Sequence, residues 1–169
     1  MEMIVAVCHL VPGGSMNRIS KPIAELMRHE RPRPMPATAM VSEAVALMRS
    51  EGWTSVLVTD AAGQLCGLLT EYDVLMRVIA ADRDPSSTPL AAVMTEAPER
   101  LEPTDDIAYA INLMSTHPFR CVPVVDGSGR ALSMLTCSDV MKHLSEILNE
   151  AMAPPHPMEL TDWLDLGGG

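Results

Sequence analysis

The residues of this chain best suited to chemistry form two short acid-and-hydroxyl motifs, Gly67-Leu-Leu-Thr70-Glu-Tyr-Asp73 and Ser133-Met-Leu-Thr136-Cys-Ser138-Asp139. Each sets a threonine three residues ahead of a carboxylate, directly after an apolar run. That spacing suits a capping box, in which the hydroxyl accepts from an orphan backbone N–H at a helix start and the acid reaches back to the cap. The same groups also suit a ligand. A helix N-terminus favours an anion, and one carboxylate can accept hydrogen bonds from two neighbouring hydroxyls. Met once, Thr-x-x-Asp reads as a cap and nothing more; its return at one place in a second repeat opens the other reading.

The elements that must position these motifs repeat as well. Thr38 to Leu75 lies over Thr104 to Met141 at an offset of 66 with no gap. Ala44 falls on Ala110, Leu47-Met48 on Leu113-Met114, Val56 on Val122, Val58 on Val124, Asp60 on Asp126, Gly63 on Gly129, Leu69-Thr70 on Leu135-Thr136 and Asp73-Val74 on Asp139-Val140. In each copy the spacing predicts a helix, Val41 to Arg49 and Ile107 to Thr116, the first with Val41, Ala44, Val45 and Met48 three and four apart. A strand, a glycine-containing turn and a second strand follow (SVLVTD, AAG, QLCGLLT; CVPVVD, GSG, RALSMLT), the pattern of a hairpin. A further helix is expected over Glu71 to Ala80 and over Ser138 to Leu148. The expected fold class is α+β, with each copy running β-α-β-β-α. A unit of about 60 residues has only a marginal core alone, so the two copies should pack face to face.

The chain therefore divides into an N-terminal extension (1–20), a first unit (21–80), a polar linker with two prolines (81–89), a second unit (90–148) and an acidic tail containing Pro and Gly (149–169). The extension contains LVPGGSM, which is similar to the protease site of an expression tag, so native sequence and tag remnant both stay open. In the tail, Leu160, Trp163 and Leu164 fall on one side of a short acidic turn, as a frayed end or a docking strip.

Composition narrows the function classes. Net charge is −10, with 8 Lys/Arg against 10 Asp/Glu in the first 85 residues and 4 against 12 in the remainder. Proteins that bind nucleic acid by neutralising phosphates show the opposite balance. At 3% aromatic residues there are few platforms on which bases could stack. No apolar run approaches the roughly 20 residues that cross a bilayer. Glu2 stands where a secretory signal would carry a basic residue, so a cytoplasmic protein that does not enter membranes is expected. Cys8, Cys66, Cys121 and Cys137 form no C-x-x-C pair and read as buried free thiols. His9, His29, His117, His143 and His156 show no ligand spacing, so no metal site is expected. The chain has no G-x-S-x-G, no Walker loop, no H-E-x-x-H and no Cys paired with a His by signature, hence no expected catalytic residue and no enzyme.

Val122-Pro-Val-Val-Asp126-Gly-x-Gly129-Arg130, an apolar strand and then Thr-x-x-Asp together resemble the cystathionine β-synthase-type (CBS) domain, whose tandem pair is called a Bateman module. The resemblance covers about Lys21 to Leu148. It implies a pseudo-two-fold α+β pair with two clefts between the halves that take adenosine derivatives: AMP, ADP, ATP or S-adenosylmethionine. The motif aspartate would hold the ribose, which makes Thr70, Asp73, Thr136, Ser138 and Asp139 ligand-binding candidates. The base would be read by backbone groups around Thr54-Ser55 and Arg120-Cys121, with Arg120 reaching phosphate. Three positions depart from the pattern or differ between copies: Leu57 against Pro123, Thr54 against Arg120, and Ser133 in place of the motif glycine.

Charge decides which nucleotide is expected. Arg100, Arg120, Arg130 and Lys142 face a large acidic excess in the second copy, and Arg28, Arg31 and Arg33 precede the first. Charges within a Debye length of about 8 Å are felt; the balance favours AMP over ATP. The expected role is a regulatory sensor. The alternative is a nucleotide-independent interaction module that regulates a partner enzyme or transporter, the partner itself being unnamed by the sequence. The resemblance further implies a homodimer formed side by side through helices; Met27, Met48, Met76, Met94, Met114 and Met141 are expected either there or in the core.

Overall fold

The computed structural model describes residues 21–27, 33–117 and 119–152. The extension, Arg28, Arg31 and the tail from 153 onward, including Leu160, Trp163 and Leu164, lie outside those residues.

Helix α1 (Val41–Glu51) buries Val41, Ala44 and Met48, the stripe set by its three-and-four spacing. The Glu43 carboxylate accepts the Met40 N–H at 2.9 Å at its start. Gly52, at φ +67°, ends it in the left-handed region that a side chain resists. Helix α3 (Ile107–Thr116) buries the equivalent Ile107, Ala110 and Leu113. Its cap is Asp106, which accepts the Ala108 N–H at 2.8 Å.

The two hairpins form as the alternation predicts: β2 (Ser55–Thr59) with β3 (Leu65–Thr70), and β5 (Cys121–Val125) with β6 (Ala131–Thr136), both antiparallel. Each has a register shift at the same place, between Val58 and Thr59 and between Val124 and Val125. One aspartate organises each turn. Asp60 accepts from the Ala62 and Gln64 N–H groups at 2.9 Å, and Asp126 from those of Ser128 at 2.8 Å and Arg130 at 3.0 Å.

The sheets around the hairpins differ. The first has four strands in the order β1-β2-β3-β4, with β1 (Met35–Pro36) parallel to β2 and β4 (Thr95–Glu96) antiparallel to β3. The second, among the described residues, has β5 and β6 alone, and a parallel bridge from Leu101 to Val124 repeats the pairing of Met35 with Val58.

The second helices differ more. Helix α4 (Cys137–Met152) is a regular α-helix that runs past both ends of its expected span. The helix expected over Glu71 to Ala80 is instead one α turn, Glu71–Asp73, continued by a π-helix, Val74–Ile79; together these are α2. The Ala80 N–H closes the wider turn on the Leu75 carbonyl at 2.8 Å. From within this wider turn Arg77 donates to the Val93 and Met94 carbonyls at 3.0 and 2.7 Å.

Each copy has its own core, and each borrows from the other's flank. Ile23 packs with Leu101, Ile107, Val122, Leu135 and Val140 of the second copy. Leu90 and Val93 pack with Val41, Val56, Val58, Leu69 and Val78 of the first. Bridges Pro22–Asp106 and Met40–Pro89 tie each borrowed segment to the cap of the helix it covers. A third cluster, Leu57, Leu65, Leu68, Cys121 and Val125, joins the two copies. Residues 66 apart touch across it: Cys121 Sγ lies 3.4 Å from Ser55 Oγ, and Gln64 bridges Arg130. A pseudo-two-fold axis passes between such pairs.

Cys66, Cys121 and Cys137 are free thiols, Cys121 buried and the other two half-buried, while Cys8 lies outside the described residues. Burial pushes the Cys121 thiol up, against a hydrogen bond to Ser55 that lowers it. Of the six methionines named above, Met48 is buried, Met27, Met94 and Met114 pack against the cores, and only Met76 and Met141 are exposed, so the methionine set as a whole is not a surface stripe. Among the described residues, no helix is long and apolar enough to cross a membrane.

Candidate functional site

Both Thr-x-x-Asp motifs close their helices as capping boxes. Thr70 donates its N–H and hydroxyl to Asp73 Oδ2 at 2.9 and 2.6 Å, and its Oγ1 accepts the Asp73 N–H at 3.2 Å. Thr136 and Asp139 make the same three bonds at 3.0, 2.5 and 3.2 Å. Both carboxylates are buried, Asp73 6% and Asp139 9% exposed. A cap that satisfies orphan N–H groups is worth about 1 kcal/mol, so capping alone accounts for the motif's local form. It does not account for the space beside one of the two copies.

That space is a cleft of about 300 Å³ with Asp139 in its wall. Thr136, Ser138 and Asp139 reach it from the end of β6 and the start of α4, with Ser133 and Met134 beside them. The facing wall comes from the first copy: Gly52 to Leu57, at the end of α1 and along β2. Arg33 completes it. The cleft is therefore built from both copies rather than within one, and the strand of one copy faces the capping box of the other. Its hydroxyls (Thr54, Ser55, Ser133, Thr136, Ser138) and the carboxylate lie around an apolar floor, the mixture that orients a small polar ligand while excluding water. Arg33 is its cation among the described residues; its guanidinium is well exposed and stands 3.7 Å from Glu51.

The remaining candidates lie on the opposite side. Arg120 is highly exposed and pairs with Glu71 at 3.7 Å, so the second copy's residue reaches the first copy's helix just as Thr54 faces Thr136. Thr70 and Asp73 sit beside that pair. There the carboxylate has further partners: Arg77 Nε lies 3.4 Å and the Thr95 hydroxyl 3.5 Å from Asp73 Oδ1. The candidates thus split into two groups related by the pseudo-two-fold axis, with Thr54, Thr136, Ser138 and Asp139 in one and Thr70, Asp73 and Arg120 in the other.

Sequence reasoning missed Trp53, whose side lines the Asp139 cleft. The signal was present, since Trp53 directly precedes Thr54 and its counterpart 66 residues on, Phe119, is the chain's other large aromatic at a strand start. Phe119 packs against the second core and stacks on His117 with ring centroids 5.1 Å apart. It also missed Arg77.

Comparisons with known proteins agree with this architecture. The family model for the CBS domain matches twice, at residues 23–80 and 90–146. The CBS domain-containing protein CBSCBSPB1 of Arabidopsis thaliana is 32% identical over 114 residues, 68% of this chain and 20% of that protein. The chain spans about a quarter or less of the length of the first curated relatives it matches. Among solved structures, a signal-transduction protein with CBS domains from Burkholderia ambifaria superposes with a TM-score of 0.67 at 24% identity, over 73% of this chain and 93% of that one. CBSX2 in complex with AMP does so with a TM-score of 0.65 at 21% identity, over 75% and 98%. With two matched copies covering most of the chain, and a pseudo-two-fold axis between them, the protein belongs to the CBS domain family and carries the domain as a tandem pair.

Proposed function

We propose that this chain is a regulatory module that binds an adenosine-containing ligand, AMP in preference to ATP, in the cleft between its two CBS domains. The single observation that carries the reading is the Asp139 cleft. It sets a carboxylate and five hydroxyls around an apolar slot between two strand-and-helix units, and a family member of the same fold is known in complex with AMP. Asp139 would accept from the ribose hydroxyls, each bond to a charged acceptor being worth about 1.5–3 kcal/mol. Thr136 and Ser138, at the N-terminus of α4, would face the phosphate, where backbone N–H groups favour an anion. The base would lie along Thr54 to Leu57 with Trp53 at its edge. One lining guanidinium, Arg33, matches a monophosphate better than the charge of a triphosphate. Arg120 belongs to the other side and would serve the second cleft.

Calorimetric titration tests this. AMP should bind more tightly than metal-free ATP, and Asp139→Asn should weaken AMP by about 10-fold or more, the loss of one charge-assisted bond. Tighter binding of ATP, or an Asp139→Asn protein that binds AMP as the parent does, would sink the reading.

A second observation favours a partner besides the nucleotide. Tyr72, Leu75, Met76 and Ile79 are all exposed on α2, from 48% to 66%, a run of apolar surface that a lone chain seldom leaves uncovered. We assign it to a homodimer. Sedimentation should report two chains, and the double variant Leu75→Glu with Ile79→Glu should report one. If the parent already sediments as a monomer, the face is left for the regulated partner enzyme or transporter, and the nucleotide-independent interaction module becomes the better description.

A further inference from the structure

We infer that the Ser55 side chain reads the base: on binding, a ring nitrogen of the adenine takes the hydrogen that the Ser55 hydroxyl gives to the Met134 thioether in the free chain. The inference rests on the nucleotide reading above and names the side chain that selects a base carrying that acceptor.

Ser55 and Met134 line the Asp139 cleft from its two sides, Ser55 at the start of β2 in the first copy and Met134 within β6 of the second. One bond joins these sides: Ser55 Oγ donates to Met134 Sδ at 2.9 Å. Ser55 is 5% exposed, so its hydroxyl must find its partner inside the protein or in the cleft. The partner it has is a poor one. A thioether sulfur is a weak acceptor, and a buried hydroxyl gains when a weak partner is exchanged for a strong one. An aromatic ring nitrogen is a strong one, and a base lying along Thr54 to Leu57 would bring it to Ser55.

The hydroxyl is oriented from behind. Cys121 Sγ donates to Ser55 Oγ at 3.4 Å. Burial raises the pKa of this thiol and outweighs the bond to Ser55 that lowers it, so the proton stays on sulfur at neutral pH. With the thiol proton aimed at the serine oxygen, the serine's own proton is turned away from Cys121 and toward Met134. The serine is thereby kept as a donor on the cleft side.

The counterpart positions carry different chemistry. Ser55 and Cys121 are 66 apart and meet at the pseudo-two-fold axis, and Met134 answers to Leu68. The second copy has a thiol where the first has a hydroxyl, and a thiol is a weak donor; this one is turned to Ser55. Of the two strand-start positions, the one facing the Asp139 motif has the hydroxyl.

Calorimetric titration with AMP and with its deaza analogues, each having one ring nitrogen replaced by C–H, tests this on the parent chain, Ser55→Ala, Ser55→Cys and Met134→Leu. In the parent at least one analogue should bind more weakly than AMP by about 3–10-fold, the contribution of one neutral hydrogen bond. Ser55→Ala should weaken AMP by a similar factor and bind that analogue and AMP alike. Ser55→Cys, which repeats the residue at 121, should also weaken AMP. Met134→Leu removes the competing acceptor at nearly constant volume; it should tighten AMP when Ser55 is present and leave it unchanged when combined with Ser55→Ala. Parent-like AMP binding in Ser55→Ala, or an analogue that stays equally weak there, overturns the role of Ser55 and leaves the nucleotide reading standing. If Ser55→Ala does not fold, Met134→Leu decides: tighter AMP supports the exchange of acceptors, and unchanged or weaker AMP overturns it. A parent that binds neither AMP nor any analogue overturns the nucleotide reading and this inference with it.

Discussion

Helices α2 and α4 begin alike and continue differently. Each starts from a Thr-x-x-Asp cap with the same three hydrogen bonds at nearly the same lengths. After the aspartate, α4 runs on as a regular α-helix to Met152, whereas α2 turns into a π-helix at Val74. The two helices also meet different neighbours. α2 sends Arg77 to the Val93 and Met94 carbonyls, whereas α4 has His143 at that position and a neighbouring cleft; both helices leave apolar side chains exposed, Leu75 and Ile79 on one and Met141 and Leu148 on the other. A shared motif therefore fixes how a helix starts, and the residues one turn later differ in what they hold: Arg77 reaches Asp73 and two backbone carbonyls from α2.

If the copies are equivalent in their cores and divergent only at their caps' surroundings, equivalent core substitutions should cost the same. Leu69 and Leu135 are 66 apart and essentially fully buried, at 0% and 2% exposure. Leu→Ala at either should lower unfolding stability by about 2–5 kcal/mol, the cavity and transfer cost of a buried leucine. That is a large share of the roughly 5–15 kcal/mol typical of a domain. Both variants should unfold in urea in one transition, because Leu57, Leu65, Leu68, Cys121 and Val125 couple the two copies through one cluster. A biphasic curve in either variant would show that the copies unfold separately and that the shared cluster does not bind them into one cooperative unit.

How much of this was legible in the sequence follows the range of the interactions. Hairpins, caps and first helices depend on neighbours within a few residues, so Val41, Asp60, Gly63 and Thr70 announce them, and their return at an offset of 66 announces the pairing of copies. The π-helix was not legible: Val74–Ile79 carries no local signal for a wider turn, and the carbonyls that Arg77 meets lie 16 and 17 residues further on. Nor was the exchange of flanks: Ile23 completes the second core and Leu90 the first, contacts of a kind that no local pattern records. The site divides in the same way. Thr136, Ser138 and Asp139 could be named from their motif, but that Thr54 faces them from the first copy, while Arg120 faces Glu71, depends on how the two hairpins pack across the pseudo-axis.

The smallest expected effect concerns the turns, where the copies share one pattern of backbone bonds to an aspartate. Asp60 and Asp126 each accept two backbone N–H groups, but Ser128 adds a hydroxyl that donates to Asp126 Oδ1 at 2.6 Å, where the first copy has Ala62. That hydroxyl, with the Arg130 N–H next, holds the Asp126 carboxyl below its ordinary range. Because the folded value is depressed, the turn's contribution is complete above the unfolded carboxylate pKa and is lost as pH falls through the lower folded one. Ser128→Ala removes the hydroxyl that the first turn, with Ala62, does not have, and leaves Arg130 where the first turn has Gln64. Carboxyl-carbon NMR titration should show the Asp126 midpoint moving upward in Ser128→Ala, the direction set by loss of a donor to the charged form. An unmoved midpoint would assign the depression to the backbone N–H groups and the Arg130 charge, and the Ser128 hydroxyl would carry no energetic weight.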